Sequence, residues 1–418
     1  MSQLPDDRHV LQTEDGFSNP LEGIHVLDLS HVQAGPICGM MLADMGAEVI
    51  KVEALSGDMY RHPIEGAYFQ NFNRNKRDIA LDLKSAEGRQ IALKLAERAD
   101  ILLENYLPGA LQRLGLGYES VREANPSIIY GSISGFGQTG PWRTRPAFDP
   151  IVQAISGCMD ATGEPGRPPV RTRAAMIDYC SGTTMAFAIA AALVRRARTG
   201  AGEHIDIALM DIALYAMSPY VTHFRKRGKV FPRTGSAHPA VVPNQNFKVC
   251  DGYIYIAATS DQMWENLCRV LHLEQIGADS RFKSRALRTQ NSAVLIKAIS
   301  PAIEALEGRE LEAQLLEAGV PCGRVRSVAE LFDDAYIETR GMLEQSIHPD
   351  LGVLETFKTP IRLSGKSSPL RNRAPLLGEH TDEILLELGY STEKIEEMLT
   401  KGVIMGPMGT KKSGKPAL

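Results

Sequence analysis

Residues 23–53 read GIHVLDLSHVQAGPICGMMLADMGAEVIKVE, and this stretch decides the fold class. Gly23 to Leu29 is a short apolar run of strand type. His31-Val-Gln-Ala-Gly-Pro36 is a loop that opens a helix over ICGMMLADMG, and Gly46 is its stop signal. AEVIKVE then makes a second strand, ending in Glu53. Strand, helix and strand within about 30 residues form a βαβ unit, whose expected pairing is parallel. The loop is not G-x-G-x-x-G, so a nicotinamide cofactor is not supported. Its small residues still suit a phosphate or an acyl oxygen approaching the amides at the helix start.

The alternation continues outward. DIALDL is a strand after Asn75-Lys76-Arg77, and Ser85 opens the helix SAEGRQIALKLAERA. ADILLENY, PGALQRLG and SIIYGSISGFG follow as strand, helix and strand. The last ends in Gly135-Phe-Gly137-Gln-Thr-Gly140, which matches G-x-G-x-x-G in letters only. Pro141 and Pro146 follow within six residues, and they do not make a phosphate-binding helix.

Residues 174–197, AAMIDYCSGTTMAFAIAAALVRRA, set a single carboxylate, Asp178, at the entrance to a long apolar helix. A Tyr-Cys-Ser-Gly bend is expected after it, the helix from Thr183 to Val194 is expected to be buried on most sides, and a basic cluster closes it at Arg195, Arg196 and Arg198. That apolar run is short of the ~20 residues that span a bilayer. Taken alone, Asp178 reads as a helix cap. GEHIDIALMDIALYAMS then gives a strand and a helix. NFKVCDGYIYIAA is a hairpin turning at Asp251-Gly252, 260–318 is helical in pattern, and a strand is expected near Gly352 to Thr359.

The expected architecture is α/β: a large domain with a mostly parallel sheet, interrupted after residue 220 by a smaller α+β domain. The divisions are a loose arm over 1–20, the large domain over 21–220, the small domain over 221–335, a return to the large domain over 336–403, and a disordered tail over 404–418. With 46 basic and 50 acidic residues the net charge is -4, which argues against a nucleic-acid binder. The polar, acidic N-terminus lacks an apolar core, so neither a secretory signal nor a transit peptide is expected there. Six scattered cysteines, without C-x-x-C spacing, read as free thiols in a reducing compartment, so a cytoplasmic protein without membrane span or metal is expected.

Ten motifs in order turn these elements into a family. They are LEGIHVLDLSHVQAGP, GAEVIKVE, SGDMYR, FNRNKRDIALDLKSAEGR, ENYLPGALQRLG, GFGQTGP, AAMIDYCSG, RTGAGEHIDIALMD, GVPCGRV and APLLGEHTDEIL. Together the chain resembles the family III CoA-transferases, the group of formyl-CoA transferase, carnitine CoA-transferase and α-methylacyl-CoA racemase, and most of all its formyl-CoA transferase-like members. The resemblance implies a Rossmann-like large domain and two subunits, identical or related, interlocked as rings. It implies acyl-CoA and a carboxylic acid as substrates, with no prosthetic group.

By this resemblance Asp178 is the nucleophile, and it needs no general base because a carboxylate is already ionised at neutral pH. Gln33 stands beside it as the second catalytic candidate. His31, Val32, Gln33 and Ala34 correspond to the loop facing the thioester. Lys76, Asn105, Tyr106 and Arg113 correspond to contacts with the CoA phosphates and pantetheine, and Met210 to a pocket position near the nucleophile. The chain departs from the pattern at three points. Ala54 replaces an arginine beside the second strand, which leaves Lys51 or Arg61 for the phosphates. The stretch His238–Gln245 lacks the run of four glycines of formyl-CoA transferase. Phe148 stands where racemases carry a base histidine. These departures point away from formyl transfer and racemisation, toward transfer from succinyl-CoA to a dicarboxylic or aryl-substituted succinate. Arg171, Arg173, His223 and Arg225 are candidate anchors for a second carboxylate. A racemase, a hydrolase and a non-catalytic partner subunit are the competing readings.

Overall fold

The computed structural model describes residues 19–333 and 335–406. The arm before Asn19 and the tail after Gly406 lie outside that range, although Ile404–Met405, assigned to the tail from sequence, form a short strand. The chain divides into two compact units. The first holds the chain up to Ser156, Arg173–Ala216 and the chain from Arg340, and the second holds Gly157–Thr172 and Met217–Thr339. Residues 157–172 thus cluster with the second unit, whereas the sequence placed them within 21–220.

In the first unit, β1 (His25–Asp28), β2 (Glu48–Glu53), β3 (Lys76–Leu81), β4 (Ile101–Glu104), β5 (Ile129–Ser134) and β6 (Glu203–Ala208) run parallel in the order β3-β2-β1-β4-β5-β6. Ile404–Met405 adds an antiparallel edge beside β3. Every residue of β4 and of β5 is buried, because helices cover both faces of a parallel sheet. On one face α2 (Ala86–Arg98) packs Ile91 and Leu95 with Ile384 and Leu385 of the helix Thr381–Glu387. Ser85 caps α2 by accepting from the Gly88 amide, as its sequence pattern implies.

Against α1 (Ala34–Asp44) packs the 24-residue helix Met176–Thr199. Gly182 permits this approach, since a Cβ there would lie 2.5 Å from the Ala34 carbonyl oxygen. The long helix begins at Met176, so no bend follows Asp178, which sits in the first turn. By length and composition alone the helix passes for a membrane span. It lies instead along α1, β5 and β6, burying Ile177, Met185 and Ile189. Only one side is covered within the chain. Phe187 (75% exposed) and Val194 (56%) continue a bare apolar stripe through Ala190 and Ala191, which corrects the expected burial on most sides.

The strand order reverses between β1 and β4. In open parallel sheets, ligands bind beyond the strand C-termini at such a switch point. Here that place is framed by the loop after β1 and the loop after β4.

The second unit pairs β7 (Asn244–Val249) with β8 (Gly252–Ala257) as an antiparallel hairpin, and β9 (Cys322–Arg324) adds a third strand. Helices close it around Phe247, Ile256, Trp264 and Ile299. The strand Gly352–Phe357, in the first unit, pairs antiparallel with Leu343–His348.

Candidate active site

At the switch point lies a cleft of ≈ 380 Å³. Its lining brings together His31, Val32, Gln33, Ala34, Asn105, Tyr106, Arg113 and Asp178, eight of the ten residues singled out from sequence, and Phe148 stands among them. Residues 147 positions apart in the chain meet because β1 and β4 end, and the Met176–Thr199 helix begins, at the same cleft.

Asp178 is 9% exposed. It does not cap its helix. Asp149, in α3 (Asp149–Ile155), takes that role with Oδ2, accepting from the Ile177 amide at 2.8 Å and the Asp178 amide at 3.2 Å. The second oxygen of Asp149 accepts from the Gln153 side chain. Among the described residues, the Asp178 carboxylate accepts no hydrogen bond at all. Burial, and then the negative charge of Asp149, raise its pKa from 3.8 to about 7. The free ionisation expected from sequence is therefore only partial at neutral pH. In return, the carboxylate is more basic than a solvated one and carries little hydration to lose.

Two groups grip the loop after β1. The Asn105 side chain accepts from the His31 amide at 2.9 Å and donates to the His31 carbonyl at 2.7 Å. This two-way grip fixes the Asn105 side chain against the His31 backbone and leaves its second N–H as a donor. The Val32 amide donates to Asp58 Oδ2 at 3.0 Å, with Val32 at φ 67°. The amides of Gln33, Ala34 and Gly35, at the start of α1, have no acceptor among the described residues, and Gln33 is 4% exposed. The His31 ring packs on Tyr106 at 4.8 Å, with a buried Nδ1 left unpaired. Burial and Lys51 hold its pKa below the usual value.

Lys76 is corrected. It lies outside the cleft, and its Nζ gives all three donors to Asp28 (2.8 Å), the Pro36 carbonyl (3.0 Å) and Asn73 (3.0 Å). Nothing remains for a phosphate. Lys51 and Arg61 are also corrected, since both lie outside the cleft lining and are engaged within the chain. Lys51 donates to the Ser30 carbonyl at 2.8 Å and faces Asp58 at 3.6 Å, while Arg61 is paired with Glu53. Met210 also lies outside the cleft lining. Its amide donates to Gly135 at 3.1 Å, and the neighbouring Leu209 lines the cleft instead.

Of the proposed carboxylate anchors, Arg173 is exposed and does not line the cleft. Arg171, His223 and Arg225 belong to the second unit, where His223 packs on Phe231 at 4.0 Å. The cation missed from sequence is Arg145. It lines the cleft with its guanidinium 5.2 Å from the Trp142 ring and 5.6 Å from that of Phe136. The signal was present in GPWRTRP, a stretch read only as evidence against a phosphate loop. That rejection agrees with the fold. The Gly137 and Gln138 amides turn back to Ser134 Oγ and Asp206, and no helix starts before Asp149.

Comparison with known proteins adds the chemistry. Residues 21–381 match the model of CoA-transferase family III. The succinyl-CoA:glutarate CoA-transferase of Mus musculus is 38% identical over 405 residues, 94% of this chain and 92% of that one. The succinyl-CoA:mesaconate CoA-transferase of Haloarcula hispanica is 36% identical over 387 residues, 89% of this chain and 97% of that one. Among solved structures, a CAIB/BAIF family protein from Brucella suis superposes with a TM-score of 0.80 at 38% identity, covering 88% of this chain and 99% of that one.

Proposed function

Since the chain belongs to CoA-transferase family III, we propose that it moves CoA from succinyl-CoA to a second dicarboxylic acid, with Asp178 as the nucleophile. The observation that carries this reading is Asp178 itself. It is a carboxylate withdrawn from water, uncommitted to any hydrogen bond, and set in the cleft where the strand order reverses. The relatives that act on glutarate and mesaconate supply the acid class.

The chemistry balances without a base or a redox partner. An Asp178 oxygen attacks the thioester carbonyl, the carbon–sulfur bond breaks, and CoA leaves as a thiolate from a mixed anhydride. The thiolate attacks the Asp178 carbonyl, releases succinate and leaves an aspartyl-CoA thioester. The incoming carboxylate repeats the exchange in reverse order and regenerates Asp178. Each tetrahedral intermediate carries an oxyanion, for which the unpaired amides of Gln33 and Ala34 are the fixed donors at hand. Arg113 and Arg145, both lining the cleft, are the cations that receive the CoA phosphates, taking the place of the arginine absent at Ala54. Phe148 offers no proton acceptor where a racemase needs one.

Purified protein given succinyl-CoA and glutarate is expected to form glutaryl-CoA and succinate in equal amounts, followed by mass spectrometry of the thioesters. Release of free CoA without an acceptor-dependent product would make it a hydrolase. Deuterium uptake at the α-carbon from heavy water would make it an isomerase. Transfer that appears only after adding another subunit would make it a partner chain.

The reading extends to a dimer. Phe187, Ala190, Ala191 and Val194 leave an apolar stripe that water covers poorly, and a second subunit of the interlocked kind would bury it. Sedimentation of the chain expressed alone is expected to give one species of twice 45.7 kDa, and F187D to shift it toward half that mass. A wild-type monomer at micromolar concentration would remove the dimer from the reading. All six cysteines are free, which supports a reducing, cytoplasmic setting.

A further inference from the structure

Val32 is a β-branched residue held at φ 67°, a conformation such side chains rarely adopt and which persists only where the surroundings enforce it. The enforcement comes from a buried carboxylate. Asp58, 6% exposed, follows β2 and accepts the Val32 amide on Oδ2 at 3.0 Å. Its other oxygen accepts the Tyr60 amide at 2.9 Å, and its own amide donates to Glu53 at 2.6 Å. Lys51, whose side chain has no exposure, balances the charge from 3.6 Å and ties the Ser30 carbonyl of the same loop at 2.8 Å. A carboxylate and a lysine thus hold Val32 and Ser30, both in the loop that leads to the free amides of Gln33 and Ala34.

From this we infer that Asp58 is a positioning residue for CoA transfer. By holding Val32 left-handed, it aims the Gln33 and Ala34 amides at the carbonyl oxygen above Asp178. Asp58 touches no substrate, so its effect is on the transition state and not on CoA binding. The inference rests on the transferase reading above.

The test is a double-mutant cycle of Asp58→Asn with Val32→Gly. The Asn side chain has one acceptor oxygen, so it cannot serve both the Val32 and the Tyr60 amides. D58N is expected to lower kcat by about 100-fold, the scale of a misplaced oxyanion donor, while KM for succinyl-CoA moves less than about 3-fold. Glycine adopts a positive φ without enforcement, so in the V32G background D58N is expected to cost less than about 10-fold. A role in stability alone would produce no such dependence on residue 32. Wild-type kcat in D58N, or the same loss in both backgrounds, would overturn the inference. If D58N does not fold, a folded V32G/D58N supports it, and a double variant that is also unfolded overturns it. Hydroxylamine trapping on wild-type Asp178 keeps the two levels apart: absence of a hydroxamate there defeats the transferase reading, whereas the cycle defeats only the role of Asp58.

Discussion

Asp178→Ala is expected to lose CoA transfer by at least ~10⁴-fold, on the scale seen when a covalent nucleophile is removed. After incubation with succinyl-CoA and a hydroxylamine quench, the peptide bearing Asp178 should carry a hydroxamate in the wild type and none in the variant. Wild-type protein that binds CoA but leaves Asp178 unmodified with several donors would end the covalent route. The pH dependence follows from burial. Asp178 titrates at about 7, and only its ionised form attacks. Below about pH 6, kcat/KM is therefore expected to fall close to tenfold per pH unit. Asp149→Asn removes the like charge nearby while keeping an acceptor for the Ile177 amide, so it should move the acid limb to lower pH.

The same shift makes a statement about stability. In the unfolded chain Asp178 titrates near its ordinary value of 3.8. The folded state binds its proton more tightly, so ionisation costs stability as pH rises through 3.8 toward 7. That cost is fully present above about pH 7 and absent below about pH 4. Asp178→Asn should consequently be more stable than wild type at pH 8, by at most about 4 kcal/mol, with the difference vanishing toward pH 4. Urea midpoints at both pH values check this. An equal difference at the two would show that ionisation is not its source. The proposed nucleophile is held in an environment that disfavours its charge, as expected where a site is built for reaction rather than for stability.

Lys76→Met carries the second large effect, on stability rather than on binding. Asp28 and Lys76 both have no side-chain exposure and lie 2.8 Å apart. Removing one partner strands the other charge, which typically costs about 3–5 kcal/mol. The Asp28→Asn/Lys76→Met pair removes both charges and should lose less than the two single substitutions combined. A K76M protein with wild-type urea midpoint but a raised KM for acyl-CoA would return Lys76 to the phosphate site. The pair has a clear structural task. Lys76 ties β3 to the Pro36 carbonyl in α1, while Asp28 holds the Ser30 amide at 2.9 Å, so together they brace the start of the cleft loop from beneath.

What local pattern carries was legible. The parallel β–α–β alternation and the Ser85 cap depend on neighbours within a few residues, and the structure has both. The hairpin expected to turn at Asp251-Gly252 turns one residue earlier, at Cys250-Asp251, with Gly252 paired to Val249. Asp178, Gln33 and Arg113 are marked by their motifs, and they meet in one cleft. The misplaced phosphate candidates share one feature. Lys76, Lys51 and Arg61 are cations in motif-rich stretches, and sequence does not say whether a cation faces a ligand or a buried carboxylate of its own chain. The Lys76 partner lies 48 positions away.

By itself, then, the amino-acid sequence determined the α/β class and the family, and it singled out Asp178 as the candidate nucleophile, because each rests on short-range periodicity or on a contiguous motif. Only the tertiary structure decided the strand reversal that opens the cleft, the capping of the Asp178 helix by Asp149, and the left-handed Val32 beneath Asp58. Each of these joins segments far apart in the chain, and each depends on burial. A carboxylate's role is set by which amides and charges surround it once water is gone, and those neighbours exist only in the folded chain.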